Sequence, residues 1–178
     1  GFCWPGALLL AALLGMLAAC PVWAEGEQDP KARLELLADQ DAIAPGQTIT
    51  LALVFGLEDE WHLYWKNRGE GGLEPEFEWD LPEGFTVGPI RWPPPKRHVD
   101  TADTHTFILE HEAILLVEVT APPTLEAGRE VTIGVDADWM VCREVCIRES
   151  KKVSVTLPVV DSAEATRPVN ETDFRYAR

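Results

Sequence analysis

From Ala32 onward the chain is written in short runs in which apolar and polar side chains alternate, and no stretch beyond the first 24 residues carries a convincing apolar period of 3.6. Such a pattern can bury one side of an extended strand but not one stripe of a helix, so the core must be built from sheets. Ala32, Leu34, Leu36 and Ala38 alternate with Arg33, Glu35 and Leu37, and Ile49, Leu51, Leu53 and Phe55 alternate over the run from Thr48 to Phe55. Further strands are read at Trp61–Lys66, Phe77–Trp79, Phe85–Ile90, Ala113–Val119 and Val131–Val141, and a last one carries Val153, Val155, Leu157 and Val159. Ala113–Val119 is apolar on both faces, as a central strand would be. Ala44-Pro45-Gly46-Gln47, Leu81-Pro82-Glu83-Gly84 and Leu125-Glu126-Ala127-Gly128 supply turns, and the prolines of Trp92–Pro95 keep that segment out of a ladder. About nine short strands at roughly ten-residue spacing predict an all-β, immunoglobulin-like sandwich. The 178 residues suit one domain.

The opening segment is of another kind. No charged side chain occurs from Gly1 to Ala24, and Ala7 to Ala19 is an unbroken run of Ala, Leu, Gly and Met. That is the length of a signal-peptide core and short for a membrane span. Pro21 breaks it, and Val22-Trp23-Ala24 offers small residues for cleavage before Glu25. Leu17-Ala18-Ala19-Cys20 also matches a lipoprotein signal in which Cys20 would carry lipid. Residues 1–24 are thus expected to be a signal peptide or lipoprotein signal, residues 25–160 the domain, and the polar, patternless 161–178 a linker or tail. No initiator Met and no basic leader precede Gly1, so the natural start is expected upstream.

Export changes the meaning of the cysteines. Of Cys3, Cys20, Cys142 and Cys146, the first two leave with the signal, and one pair remains in an oxidising compartment. On the run Val131–Val141, the odd-numbered residues Val131, Ile133, Val135, Ala137, Trp139 and Val141 form the apolar face. Cys142 leaves the strand on the other face, with Asp136 and Asp138. Arg143-Glu144-Val145 is enough chain for a tight loop or one turn, so a bridge to Cys146 is sterically feasible. Such a bridge makes a poor staple. Closing about five residues restrains the unfolded chain by roughly 2 kcal/mol, against more than about 4 kcal/mol for a loop of about 60. Structural staple and redox site both stay open on spacing alone. Arg143 and Arg148 would lower a thiol pKa, Glu144 and Glu149 would oppose them, and Asp136 and Asp138 are candidate tuning groups, although a solvated acidic face is the default.

The remaining chemistry is thin. A net charge of -15 sets the chain against nucleic acid. No P-loop, dinucleotide-binding fingerprint, HExxH or GxSxG occurs. His62, His98, His105 and His111 could join the cysteines in binding copper or zinc, with His105 and His111 the pair that one loop would bring together; solvated histidines are the plainer reading. Trp61 and Trp65 share a strand face with Leu63 and read as core rather than as a sugar platform. Glu74, Glu76, Glu78 and Asp80 read as one solvated strand face rather than as a glycosidase's carboxylates.

The stretch Asp138-Trp139-Met140-Val141-Cys142-Arg143-Glu144-Val145-Cys146-Ile147 resembles the N-terminal periplasmic domain of the DsbD/ScsB thiol:disulfide interchange proteins. Trp61-His62-Leu63-Tyr64-Trp65-Lys66-Asn67 with Gly69 and Gly72, Phe77–Phe85 and Ile90-Arg91-Trp92-Pro93 are similar to the ScsB-like branch, so the likeness runs from about Lys31 to Val160. The resemblance implies an immunoglobulin-like domain without cofactor in a Gram-negative periplasm, monomeric and either free or tethered to the membrane. It would act as a protein-disulfide reductase component, receiving electrons from the membrane-embedded part of a DsbD/ScsB-type protein and passing them to periplasmic thioredoxin-like proteins, chemistry tied in the family to cytochrome c biogenesis and copper tolerance. Cys142 and Cys146 match the redox pair, with Cys146 the sulfur that meets the partner and Cys142 the one that resolves the mixed disulfide. The membrane domain would lie beyond Arg178 or in a separate protein. Relatives shield the pair with an aromatic loop, which places the cap between His98 and Phe107, with Phe107 itself as the capping ring. Here the chain departs from the family, with Thr106–His111 in place of a Tyr-Gly-Tyr-like run and Arg148-Glu149 in place of Pro-Gly after the second cysteine. The rival readings are a binding module whose disulfide pins a loop, and a copper carrier using Cys142, Cys146 and His105 or His111.

Overall fold

A computed structural model describes residues 29–176; the segment read as an export signal, with Cys20, lies outside them. The strands are β1 (Ala32–Ala38), β2 (Thr48–Leu57), β3 (His62–Gly69), β4 (Glu76–Asp80), β5 (Thr86–Val87), β6 (Lys96–Val99), β7 (His105–Glu110), β8 (Glu112–Thr120), β9 (Glu130–Cys142) and β10 (Cys146–Pro158). One sheet has the order β1-β2-β8-β5. The other runs β10-β9-β3-β7-β6, and β4 pairs with β9 beyond the point where β3 leaves it. Every pairing between these strands is antiparallel, and the architecture is the expected immunoglobulin-like β-sandwich.

The core lies where the period-two pattern puts it. Leu34, Leu51, Leu53, Phe55, Leu115 and Val117 of the first sheet meet Leu63, Leu109, Ile133, Val135, Trp139 and Val141 of the second. Phe55 stands edge-on to Trp139, ring centroids 5.2 Å apart. The doubly apolar β8 is an inner strand, with Ala113, Leu115, Val117 and Val119 facing the core. Its other face, Ile114 and Leu116, lies under Phe174 of the short helix α1 (Glu171–Tyr176). The stretch read as a patternless tail therefore supplies cover for the first sheet.

Two differences from the sequence reading bear on the site. The segment from His98 to Phe107, expected as a loop, is mostly the β6–β7 hairpin with its tip near Asp100–Thr104. And β10 starts at Cys146, well before the apolar run at Val153, through residues that look like a solvated loop. Its charged side chains instead stitch it to β1. Glu149 accepts hydrogen bonds from the backbone N–H of Lys31 (2.6 Å) and of Ala32 (3.1 Å) and from Trp139 Nε1 (3.1 Å), and Lys151 Nζ donates to the Leu34 carbonyl at 3.1 Å. These bonds satisfy groups that an edge strand would otherwise present to other chains.

Candidate functional site

Strands β9 and β10 form a hairpin whose connecting loop is Arg143-Glu144-Val145, closed by a hydrogen bond from the Arg143 N–H to the Val145 carbonyl. Cys142 and Cys146 are the facing pair that ends the ladder, with Cα atoms 4.1 Å apart, and their sulfurs are joined. Strand alternation explains where the bridge sits. Val141 points into the core, so Cys142 points to the outer face of the second sheet, as expected. That face is not open: Cys142 is 2% exposed, packed with Tyr64 of β3, Ile108 of β7 and Met140, whereas Cys146 is exposed.

The cover comes from three segments. His62 is the register partner of Cys142 on β3 and also faces Glu110 across β7. The Tyr64 ring lies on Gly72, where an added Cβ would come within 2.3 Å of the ring and φ is +76°; only glycine lets that ring settle there. The β6–β7 hairpin contributes His98 and the turn beyond Val99, where the Asp100 carboxylate accepts from the Ala102 and Thr104 N–H groups at 2.8 and 2.9 Å. Together with Arg143, Glu144 and Cys146 these residues line an open cleft of about 700 Å³ over the bridge. Arg143 lies over the Trp61 ring at 5.5 Å and reaches Glu60 at 3.5 Å.

The positions singled out from sequence fall into two groups. Cys142 and Cys146 both line the cleft. Phe107 is on the other face of β7 from Thr106 and Ile108, ring-to-ring with Trp65 at 6.4 Å, and is not among the residues that line the cleft. The aromatic ring packed with Cys142 is Tyr64. Asp136 and Asp138 share the outer face of β9 but pair with β10 cations outside the cleft, Asp136 with Lys152 at 3.2 Å and Asp138 with Arg148 at 2.6 Å. Arg148 and Glu149 are thereby committed elsewhere, which leaves Arg143 and Glu144 as the loop charges beside the bridge. His105 and His111 sit at opposite ends of β7 and do not meet. Among the described residues, no group of three His, Cys, Asp or Glu is placed to hold a metal.

His62, for which a solvated position is the plainer expectation, is instead 7% exposed. Its signal was the alternation of Trp61-His62-Leu63-Tyr64-Trp65, which sends His62 and Tyr64 to the face opposite the core tryptophans. Burial, with repulsion from His98 and a smaller opposing pull from Glu110, lowers its pKa to about 4. The unfolded chain would protonate it near its ordinary value of 6.5. Above that pH the ring is neutral in both states. Below it the unfolded chain binds a proton that the folded chain refuses, so stability falls with pH until the folded pKa is reached. The expected loss from about pH 6.5 to about pH 4 is on the order of 3 kcal/mol. Denaturant midpoints across that window should show the slope in the native chain and not in His62→Phe. The low-pKa carboxylates Glu110 and Asp100 release their own stabilisation lower, as pH falls from their unfolded values, so most of the window reports on His62.

Comparison with known proteins agrees with this geometry. No curated protein matches the chain. The chain is similar in structure to the N-terminal periplasmic domain of ScsB from Proteus mirabilis, with 20% identity and a TM-score of 0.58 over 87% of this chain and 55% of that one. It thus spans little more than half of that relative. It also matches the reduced N-terminal domain of DsbD from Neisseria meningitidis, at 15% identity and a TM-score of 0.38, over 76% of this chain and 90% of that one. A family model described as the N-terminal part of the thiol:disulfide interchange protein DsbD matches residues 33–158, most of the chain and all of the cleft. That span takes in the bridged pair, and the chain belongs to the family of DsbD N-terminal domains.

Proposed function

We propose that this domain works in a bacterial periplasm as an electron relay, charged by the membrane-embedded part of a DsbD/ScsB-type protein and discharged on thioredoxin-like proteins. The observation that carries the reading is the unequal burial of the bridged sulfurs, Cys146 exposed and Cys142 covered. An incoming thiolate meets Cys146, the Cys142–Cys146 bond breaks, and Cys142 departs with the electron pair as a thiolate. A second thiolate on the donor then attacks the mixed disulfide. The donor leaves oxidised, and the domain holds two thiols. The same steps in reverse reduce an acceptor disulfide. No cofactor enters either half. A place in cytochrome c biogenesis or copper tolerance would follow from which thioredoxin-like protein accepts the electrons.

The test is the reduction potential of the pair, measured by equilibrating the protein in glutathione and dithiothreitol buffers and trapping thiols for mass spectrometry. A value between roughly -180 and -270 mV, the range of exchange proteins, is expected. A value below about -300 mV marks a structural bridge and returns the domain to the binding-module reading.

A further inference from the structure

The face of the second sheet that covers Cys142 carries more titratable chemistry than a shield requires. His62 is the direct cross-strand neighbour of Cys142, and both line the cleft that contains Cys146. Facing residues of adjacent antiparallel strands have Cβ atoms about 4.5–5.5 Å apart, within reach of an imidazole and a thiol. The His62 ring is fixed from two sides, edge-on to Tyr64 at 5.4 Å and against His98 at 5.2 Å. Thr106, the register partner of His98, adds a buried hydroxyl without a hydrogen-bond partner among the described residues to the same cleft.

From the pairing of His62 with Cys142 across β3 and β9, we propose that His62 is the proton acceptor for the Cys142 thiol when that thiol resolves the mixed disulfide. This rests on the exchange reading above. In the discharging direction, Cys146 carries the acceptor as a mixed disulfide and Cys142 is a buried thiol. His62 takes its proton. The Cys142 thiolate attacks the Cys146 sulfur, the Cys142–Cys146 bond forms, and the bond from Cys146 to the acceptor breaks. Cys142 is thereby oxidised, Cys146 keeps the disulfide level it had in the mixed disulfide, and the acceptor sulfur leaves reduced with the electron pair. The proton passes from His62 to that thiolate or to water. In the bridged form no sulfur is charged, and burial keeps His62 neutral and free to accept. Once the thiolate forms beside it, the ion pair holds the imidazolium that the empty cleft would reject. Glu110 on β7 favours that cation. His98 on β6 opposes it when protonated. Tyr64 and Asp100 lie in the same cleft wall, Arg143 and Glu144 on the loop side, and Lys96 and His111 draw on Glu110 from beyond.

The reduced chain is mixed with dithiobis(nitrobenzoate), whose coloured thiol leaves twice. Attack by Cys146 releases the first equivalent, and resolution by Cys142 releases the second. His62→Gln and His62→Phe should leave the first release within about twofold and slow the second on the order of 100-fold near pH 7, the difference closing near pH 10, where the thiol ionises unaided. Equal second-release profiles overturn the proposal, as does a slowing that is the same at every pH, which would mark a packing role. If neither variant folds, the pH profile of the native chain decides: its second release must stay nearly level from about pH 8 to pH 6, where neutral His62 takes the proton, and a fall of about tenfold per pH unit, the mark of a thiol ionising to solvent, overturns the proposal. Failure of the reduced chain to release even the first equivalent would count against exchange itself, and so separates the two failures.

Discussion

Cys146→Ser is expected to abolish exchange, and Cys142→Ser to stop it halfway with the partner still attached. Disulfide exchange needs a thiolate to approach one sulfur from the side opposite its bonded neighbour. At Cys142 that approach is filled by Tyr64, Ile108 and Met140; at the exposed Cys146 it is open. In Cys142→Ser the exposed thiol still captures a partner, but nothing remains to release it, so a covalent adduct on Cys146 accumulates and survives acid trapping. In Cys146→Ser the remaining thiol lies under Tyr64, Ile108 and Met140, which block its path, so it forms no adduct. Intact-mass analysis after incubation with an oxidised thioredoxin-like protein reads both outcomes. Adducts of equal yield on the two single-cysteine chains would show that burial does not assign the roles, and the electron path described above would fail.

Phe55→Ala should cost about 3–5 kcal/mol of folding stability. Phe55 is fully buried on β2, between Leu34 on β1 and Ala113 on β8, and its ring meets the edges of Trp139 at 5.2 Å and Phe77 at 6.4 Å. It therefore joins the first sheet to both β9 and β4. Removing the ring leaves a cavity that the facing rings of Trp139 and Phe77 cannot close, and a domain holds only about 5–15 kcal/mol in all. Urea unfolding with the bridge intact should show the midpoint falling at nearly constant m-value. A loss under about 1 kcal/mol would mean that the two sheets close over the gap, contrary to the packing described.

What the sequence made legible is what a local period can encode. Leu34, Leu53, Ile133 and Trp139 face the core because apolar residues recur every second position on their strands. Ile114 and Leu116 announced that β8 is covered on both sides, though not by what, because Phe174 lies far along the chain in a helix too short to show a period. The pairing of Cys142 with Cys146 was readable from spacing and from the resemblance. The cover over it was not. Lys96-Arg97-His98-Val99 has little apolar content and follows three prolines, so nothing local marks it as a strand. Once β7 is a strand rather than a loop, alternation sends Thr106 and Ile108 toward Cys142 and Phe107 toward Trp65, which is why the aromatic expected over the bridge is elsewhere. Likewise Glu149 reads as a surface charge until β1 is seen to bring two backbone N–H groups to its carboxylate.

The bridge joins two residues that already face each other at the closed end of a hairpin whose strands run 13 residues each. Opening it frees two sulfurs but no segment of chain, since the ladder and the three-residue loop hold the ends together. The bridged and reduced forms are therefore expected to share one backbone and to offer partners nearly the same outline. A protein docking here has no large change of shape to sense, and must discriminate by the chemistry of one exposed sulfur. On the relay proposed above, the relative potentials and supply of the visiting molecules would decide which way electrons move, and the same surface would serve donor and acceptor in turn.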